Sequence, residues 1–302
     1  MSLLVVGSVA FDAIETPFGR VERTVGGAAT YFSLAASFFT KVNLVGVVGE
    51  DFDASHEKVF HGREIDLAGL ERAKGKTFFW SGKYHDNLND RTTLATDLNV
   101  FADFRPRLPE SFRTSRYIFL ANIDPTLQRS VLEQVAGKPK LVALDTMNYW
   151  ISGTPEELRK TLKQTQVLMI NDEETRQLSD ERNLLRAARA IFKLGPRTLV
   201  IKRGEHGAMM VHDDWVFCVP SYPLDEVHDP TGAGDSFAGG FMGYLADAGR
   251  VNVDTLKRAM VYGTVLGSFA VERFGLQRLL TLKRGEITKR VKHFHKLTTF
   301  KL

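Results

Sequence analysis

The sequence predicts a doubly wound α/β fold, because short apolar segments alternate along it with segments of helical spacing. The apolar segments are rich in β-branched residues and lie at residues 3–6, 42–48, 117–120, 141–144, 167–170 and 198–201. Continuous apolarity over so few residues is typical of strands buried on both faces of a parallel sheet. The segments of helical spacing lie at residues 28–39, 126–135, 156–163, 181–194, 235–248 and 254–274. Strands that alternate with helices in this way indicate βαβ units.

The composition bounds the class of protein. A chain of 302 residues allows one large domain or two ordinary ones, and 43% hydrophobic residues exclude a mainly disordered or fibrous chain. No apolar stretch approaches the roughly 18–20 residues of a membrane span, and Asp12 interrupts a start without basic residues. We therefore expect no signal peptide and no membrane partner. The single cysteine, Cys218, excludes a disulfide framework, so we expect a cytoplasmic protein with this thiol in the core.

The net charge of +4 is concentrated at one end of the chain. Residues 283–302 contain seven basic residues and one acid, so they carry +6 while the remainder carries −2. A basic segment can bind nucleic acid, but no nucleic-acid-binding motif accompanies this one. We interpret it as the solvated face of a C-terminal helix and expect no nucleic-acid partner.

Residues 77–104 interrupt the α/β pattern. Aromatic or alternating residues lie on both sides of the sequence HDNLND, which predicts an antiparallel hairpin. Its strands are expected at residues 77–84 and 91–101. With residues 12–25, the hairpin is expected to form a small β-subdomain inserted into a single domain. Phe79 and Trp80 are too apolar for a free edge, so the hairpin must cover a ligand, the main domain or a second subunit, and a homodimer stays open.

Polar residues follow five of the predicted strands. They are GSVAFD (7–12), ANIDP (121–125), DTMN (145–148), NDEE (171–174) and KRGEHG (202–207). Ligands of open α/β sheets bind beyond the carboxyl ends of the strands. The sequence therefore predicts a site at this edge, built from carboxylates, amides and cations.

The segment HDPTGAGDSFAGGF, residues 228–241, is the most specific one in the chain. Its small residues predict a tight turn at Gly232, Ala233 and Gly234, followed by a helix. Such a turn presents backbone N–H groups at the positive end of a helix dipole, which favours an anion. Asp235 can cap the helix, or it can act as a general base beside the anion site.

The whole string DPTGAGDSFAGG resembles the C-terminal signature of the ribokinase-like, or PfkB, family of carbohydrate kinases. VGGAATYFSLAASF at 25–38, followed by VGVVGEDF, resembles the N-terminal signature of that family. NDEE at 171–174 fits its Asn-x-x-Glu motif, and IKRGEHGA at 201–208 fits its motif near the ATP phosphates. The matches occur in family order and cover nearly the whole chain. The resemblance implies one three-layer αβα domain with a small β-lid, and transfer of the ATP γ-phosphoryl group to a substrate hydroxyl.

The resemblance also implies a catalytic and nucleotide-binding centre. Asp235 would be the catalytic base, and the turn from Gly232 through Ala233 and Gly234 to the Asp235 amide would form the anion hole. The nucleotide-binding residues would be Asn171, Glu174, Lys202, Gly204, Gly263 and Thr264. Glu174 would act on Mg²⁺, partly through water, because Mg²⁺ keeps several waters. Asp229 would sit near a monovalent-cation site, for K⁺.

Asp12, Gly26 and Gly27 would hold substrate hydroxyls, with Asn148 near the same side. Ribose-binding members often carry Asn five residues after the first Gly of the pair, where this chain has Tyr31. The change removes an amide and supplies a ring that could stack on a sugar or a base. A sugar is the first expectation for the acceptor, a nucleoside the second, and a polyol such as inositol stays open.

Two other classes of protein compete with a kinase. The spacing of Gly232, Gly234 and Ala238 is close to a dinucleotide fingerprint, which would indicate a nicotinamide-dependent oxidoreductase. That motif would place Asp235 against a pyrophosphate, which disfavours it. A non-catalytic nucleotide-binding module would keep the pocket but break Asp235 or the turn, and neither is broken here.

Overall fold

The computed structural model describes residues 2–213 and 215–300 of the chain. The strands are β1 (Ser2–Val6), β2 (Ala10–Thr16), β3 (Gly19–Gly26), β4 (Lys41–Val48), β5 (Ile65–Arg72), β6 (Phe78–Tyr84), β7 (Arg91–Asp97), β8 (Tyr117–Leu120), β9 (Leu141–Asp145), β10 (Val167–Asn171), β11 (Thr198–Lys202), β12 (Ala208–His212) and β13 (Trp215–Val219). The helices are α1 (Ala28–Ala36), α2 (Ala54–Glu57), α3 (Pro125–Gln134), α4 (Asn148–Gly153), α5 (Pro155–Leu162), α6 (Asp172–Ser179), α7 (Leu184–Phe192), α8 (Ala233–Ala248), α9 (Val253–Ala270), α10 (Gln277–Thr281) and α11 (Arg284–Thr298).

A nine-stranded sheet forms the centre of the fold, in the order β13-β12-β11-β10-β9-β8-β1-β4-β5. The strands from β11 to β5 pair in parallel, whereas β12 and β13 are antiparallel additions at one edge. Helices α1, α8, α9 and α11 supply core residues on one face, and α3, α5 and α7 supply them on the other. This three-layer arrangement confirms the predicted fold class, and each of the six predicted apolar strands is present.

A second sheet has the order β3-β2-β6-β7 and lies where the sequence interrupts the α/β pattern. We call it the small sheet. Asp12 and Trp80 are register neighbours in the parallel pair of β2 and β6, so their side chains share a face. Phe79 points to the opposite face and packs against the core of the main body. The expected strand at 91–101 ends at Asp97, because the chain turns into a 3₁₀ helix that stacks Phe101 on Phe78 with ring centroids 5.4 Å apart.

Several sequence expectations differ from the structure in ways that local chemistry explains. The helix expected at 181–194 begins only at Leu184, because the Asn183 side chain caps it by accepting from the amides of Leu185 and Arg186. Cys218 is exposed, since β13 is an edge strand with one solvent face, so the expectation of a core thiol is wrong.

The basic C-terminal segment forms helix α11, which begins at Arg284. Lys301 and Leu302 of that segment lie outside the described residues. Among residues 2–213 and 215–300, no helix is both long enough and apolar enough to cross a bilayer.

Candidate active site

The carboxyl ends of three neighbouring strands bring charged and polar residues to one edge of the large sheet. Asp145 ends β9, Asn171 ends β10 and Lys202 ends β11. Asn171 and Lys202 are direct register neighbours, which follows from the parallel pairing of their strands. The glycine turn before α8 meets this group, because a Cβ atom on Gly234 would lie 3.2 Å from Lys202 Nζ.

Two amides of the glycine turn have no backbone carbonyl as acceptor among the described residues. Gly232 has φ 73° and starts α8 with no side-chain cap. The Ala233 amide donates to the Pro230 carbonyl oxygen at 3.1 Å, so the turn itself uses this donor. In the described part of the chain, no backbone carbonyl accepts from the amides of Gly234 or Asp235, although the Asp235 amide donates to its own carboxylate. At the positive end of this sixteen-residue helix, an anion can therefore accept from the Gly234 amide, and from the Asp235 amide in exchange for that internal contact.

Asp235 lies in the first turn of α8, half-buried beside other charges. The pKa of its carboxyl is raised to about 6, mainly by burial and also by the charge of Asp145, while Lys202, Arg91 and its own backbone amide oppose the rise. Arg91 is the first residue of β7, so the small sheet contributes a cation to the site. The carboxyl is thus poised to exchange a proton near neutral pH.

Lys202 is held by Asp145, with Nζ donating to Oδ2 at 3.1 Å. Both side chains are largely buried. Burial lowers the pKa of Lys202, but Asp145, Glu174 and Asp235 together raise it above its ordinary value. The ammonium therefore stays charged at the meeting point of the three carboxylates.

Asn171 and Glu174 form a reciprocal capping box at the start of α6. Asn171 Oδ1 accepts from the Glu174 amide at 2.7 Å, and Glu174 Oε2 accepts from the Asn171 amide at 2.8 Å. Burial raises the pKa of Glu174 to about 7, with Lys202 opposing and Asp145 adding to the rise. The capping box uses one carboxylate oxygen of Glu174, so its structural role as a cap is compatible with a functional role.

The side chains of this group suit Mg²⁺, which keeps water and phosphate ligands, better than they suit a metal ion coordinated by protein side chains alone. Within residues 2–213 and 215–300, no group of three or more acidic, histidine or cysteine side chains converges as a metal site. Mg²⁺ is commonly bound by one or two carboxylates together with phosphate oxygens and water. Glu174 offers such a carboxylate next to Lys202, so the residues fit an Mg²⁺ ion that arrives with a polyphosphate.

Asp12 brings a fourth carboxylate to the site from the small sheet. A Cβ atom on Gly26 would lie 1.8 Å from Asp12 Oδ2, so only glycine fits there. Burial raises the pKa of Asp12 to about 7, while a hydrogen bond from the Gly27 amide opposes the rise and the charges of Asp229 and Asp235 add to it. Asp12, Gly26 and Gly27 therefore come together, and Asp12 is close enough to Asp235 to sense its charge.

The sequence suggested that the Tyr31 ring could stack on a substrate, but the structure buries this ring. The side chain is 1% exposed, and a Cβ atom on Gly232 would lie 2.3 Å from the ring. The glycine turn thus rests on one face of the ring. The buried hydroxyl has no hydrogen-bond partner among the described residues, so Tyr31 supports the turn from beneath.

Asp229 uses both carboxylate oxygens to join two loops. Oδ1 accepts from the Thr231 amide at 2.9 Å, and Oδ2 accepts from the Gly275 amide at 2.8 Å. The side chain is 1% exposed, and burial raises its pKa, with those hydrogen bonds opposing the rise. These hydrogen bonds of Asp229 hold the glycine turn in place.

A cavity of about 500 Å³ opens beside the glycine turn. Of the predicted nucleotide-binding residues it is lined by Lys202, Gly204 and Thr264, as well as by Ala233 and Gly234 of the turn. Thr264 has a buried hydroxyl without a partner among the described residues. Gly263 does not line the cavity: a Cβ there would lie 2.9 Å from the Phe237 carbonyl oxygen, so this glycine permits the close packing of α9 on α8.

Sequence reasoning missed most of the apolar wall of this cavity. These lining residues are Tyr222, Pro223, Leu224, Val227, Phe237 and Val271. Several lie in the irregular segment 220–232, which has no periodicity that could have singled them out. The same segment separates α8 from the preceding strand, whereas a dinucleotide fingerprint joins strand and helix directly.

A second cavity, of about 830 Å³, lies beside the 3₁₀ helix that follows β7 and is bordered by α3 and α4. Leu98, Phe101, Tyr149 and Trp150 give it apolar and aromatic side chains, and the remaining wall is mostly polar, with Arg105, Arg107, Asp124 and Gln134. Asn148, which was predicted to face the substrate, is exposed and does not line it. Its side chain instead accepts from the Tyr149 amide at 2.9 Å at the start of α4.

The fold and this edge of the sheet define a phosphotransferase of the ribokinase class. The chain belongs to the pfkB family of carbohydrate kinases, which matches residues 2–282. It is 28% identical to the cytidine kinase of Thermococcus kodakarensis over 80% of this chain and 87% of that one. It is 25% identical to the nucleoside kinase of Methanothermobacter thermautotrophicus, covering 95% and 94% of the two chains. The solved Methanocaldococcus jannaschii nucleoside kinase, an archaeal member of the ribokinase family, superposes with a TM-score of 0.78 at 20% identity, covering 97% of this chain and 98% of that one.

These comparisons confirm the resemblance drawn from the sequence motifs. The protein is a kinase of this family, and the oxidoreductase alternative is wrong.

Proposed function

We propose that the protein transfers the γ-phosphoryl group of ATP to a primary hydroxyl of a nucleoside, with Asp235 as the general base. The observation that carries the proposal is the position of Asp235. Its carboxyl stands at an uncapped helix N-terminus between a cavity with a charged floor, at Lys202, and the Asp12–Gly26–Gly27 group. Nucleotide and acceptor would thus approach the same carboxyl from two sides.

The chemistry would proceed by in-line displacement. With a pKa of about 6, Asp235 is mostly ionised at neutral pH and accepts the proton of the attacking hydroxyl. The amides of Gly234 and Asp235 donate to the oxygens of the transferring group, where negative charge develops. Lys202 neutralises phosphate charge, and the Asp145 carboxylate fixes its position.

Magnesium would be held through Glu174 and water, and when bound it would supply charge neutralisation along the phosphates. Asp229 is our candidate for the neighbourhood of a monovalent cation, on the basis of the family resemblance alone. The small sheet would act as a lid that excludes water during transfer.

The choice of a nucleoside rests on two kinds of support. Two relatives that span most of this chain are named as cytidine and nucleoside kinases. The small sheet carries Trp80, which shares a face with Asp12 and is half-buried. An acceptor whose hydroxyl reaches Asp12 and Asp235 could therefore place a planar base against this ring.

A free sugar, the first expectation from the sequence, is the second candidate. It is favoured by the general activity of the family and by the buried Asp12 carboxylate, which can accept from sugar hydroxyls. A nucleoside also presents a sugar to Asp12, so the two candidates differ only at the far end of the acceptor.

The discriminating experiment is an ADP-release assay with matched acceptors. Cytidine, adenosine and inosine are compared with ribose, fructose and myo-inositol at equal concentrations and fixed MgATP. We expect at least one nucleoside to exceed every free sugar in kcat/KM, and Trp80→Ala to raise KM for that nucleoside with kcat nearly unchanged. Higher kcat/KM for a free sugar would overturn the nucleoside assignment. If no acceptor in the panel raised ADP release above background, the proposed transfer would be overturned.

A further inference from the structure

The turn between β6 and β7, residues 85–90, reaches across from the small sheet to the nucleotide cavity. Asn87 fixes its shape, because its Oδ1 accepts from the amides of Asn89 at 3.1 Å and Asp90 at 3.0 Å. Asn87 Nδ2 also donates to Asp90 Oδ2 at 2.7 Å. Asn87, Leu88 and Asn89 all line the cavity that holds Lys202 and the glycine turn. The small sheet therefore contributes to the nucleotide side of the centre as well as to the acceptor side.

Leu88 is an unusual residue for the tip of a polar turn. Its backbone has φ 55°, a left-handed conformation that glycine or asparagine adopts more readily than leucine. It is also the one residue of 85–90 that is not exposed. Strained backbone conformations cluster at ligand-binding sites, and Leu88 carries one where the turn lines the cavity.

Asn89 joins the turn to the opposite wall of the cavity. Its Nδ2 donates to Glu205 Oε1 at 3.3 Å, and a Cβ atom on Gly204 would lie 2.5 Å from its Oδ1. The Asn89 side chain therefore lies directly over the Gly204 backbone. At the base of the same hairpin, Tyr84 accepts from Thr231 Oγ1 at 3.2 Å, just before the glycine turn. The hairpin thus contacts the nucleotide half of the protein at both ends.

We propose that the 85–90 turn is part of the nucleotide-binding site, and that Leu88 and Asn89 couple binding of an adenine nucleotide to closure of the small sheet over the acceptor. This inference rests on the proposed function. A nucleotide that contacts Leu88 and Asn89 binds more tightly when the small sheet is closed than when it is open, so it shifts the population toward the closed form. By linkage, an acceptor that favours the closed form strengthens nucleotide binding by the same factor. Closure of the small sheet would then depend on both substrates.

The first test measures binding of MgADP, which binds without turnover, by isothermal titration calorimetry. The test variant is Leu88→Asn with Asn89→Ala, because asparagine keeps the left-handed backbone while removing the apolar contact. The matched control is Leu94→Asn, since Leu94 is an exposed leucine of the same hairpin that lines neither cavity. We expect the double variant to lose at least about fivefold in affinity, and the control to bind as the unaltered protein does.

The second test follows closure through Trp80, which lies on the small sheet. The chain has three tryptophans, so Trp150→Phe with Trp215→Phe leaves Trp80 as the only one. We expect MgADP alone to shift its emission, and saturating MgADP to leave it unshifted when the Leu88 and Asn89 changes are added.

The outcomes separate this inference from the proposed function. If the unaltered protein binds MgADP and the double variant binds it equally well, the turn is not part of the nucleotide site, although the kinase proposal stands. If MgADP binds but Trp80 emission does not move, the coupling is refuted. If the unaltered protein binds no MgADP and turns over no acceptor, the proposed function fails and this inference fails with it.

Discussion

Replacing Asp235 with asparagine tests whether its carboxyl takes the proton of the acceptor hydroxyl. The substitution keeps the size and shape of the side chain and the two donor amides of the turn, but it removes the base. Loss of a general base costs roughly 10²–10⁴-fold in rate, which corresponds to about 3–5 kcal/mol of barrier. We expect kcat in the ADP-release assay to fall by that factor, while the affinity for MgADP changes by less than about threefold, because Asp235 is not needed for ground-state binding.

The pH dependence gives a second signature of the same role. Since burial raises the pKa of Asp235 to about 6, log kcat/KM of the unaltered enzyme should bend downward as the pH falls through that value. Asp12 and Glu174 have pKa values of about 7, so the limb reports a coupled group. The residual activity of Asp235→Asn should lack the part of the limb that belongs to Asp235.

The control substitution is Asp247→Asn, on an exposed position near the end of the same helix. It removes an equal charge from α8 without touching the site, so kcat should not change. If Asp235→Asn retained full turnover, or if it lost activity only because MgADP no longer bound, the assignment of the base would be wrong.

Two further predictions follow from the packing and the charges of the site. Gly232→Ala should destabilise the fold by more than Gly62→Ala. Both positions have left-handed φ angles, but only at Gly232 would the new Cβ meet the buried Tyr31 ring, at 2.3 Å. Equal free energies of unfolding in urea for the two variants would contradict this. Asp12→Asn should stabilise the protein at pH 8 more than at pH 4, because the pKa of Asp12 rises from 3.8 to about 7 on folding. The folded state then binds the extra proton between these values, so the unaltered protein loses stability as pH rises through that window; a difference independent of pH would refute the argument.

The sequence predicted the charged side of the site because that side follows from strand polarity. Asp145, Asn171 and Lys202 each end a buried parallel strand, so their meeting at one edge needs no knowledge of loop geometry. Asp235 was predicted for a similar reason, since a glycine turn before a helix exposes N–H groups wherever it occurs. Position along an element was sufficient for these residues.

The remaining features depend on how separate elements pack together. Tyr31 supports the glycine turn because that turn, about two hundred residues away in the chain, lies on its ring. Leu88 lines the cavity beside the glycine turn although it belongs to the turn between β6 and β7. Gly263 resembles a ligand-contacting glycine in the sequence, but it serves helix packing. No periodicity or motif encodes such distances, so only the assembled fold could show them.

The charge balance of the site predicts that the nucleotide enters with a divalent cation. Asp12, Asp145, Glu174 and Asp235 come together with raised pKa values, against one buried ammonium, Lys202. A free polyphosphate would add several negative charges to this group, and the repulsion would cancel much of the attraction of Lys202 and the turn amides. We therefore expect ADP to bind at least about tenfold more weakly in EDTA than with excess Mg²⁺, a difference of about 1.4 kcal/mol.

Glu174→Gln separates the metal from general charge effects in that titration. The amide keeps an oxygen that can accept from the Asn171 amide, as Glu174 does at 2.8 Å, but it removes the charge that would act on Mg²⁺. The variant should therefore bind free ADP better than the unaltered protein does, because one repulsive carboxylate is gone, and it should gain less from added Mg²⁺. If ADP bound equally well with and without the metal, the carboxylates would have to be protonated or turned from the phosphates, and the assignment of Glu174 to the metal would be wrong.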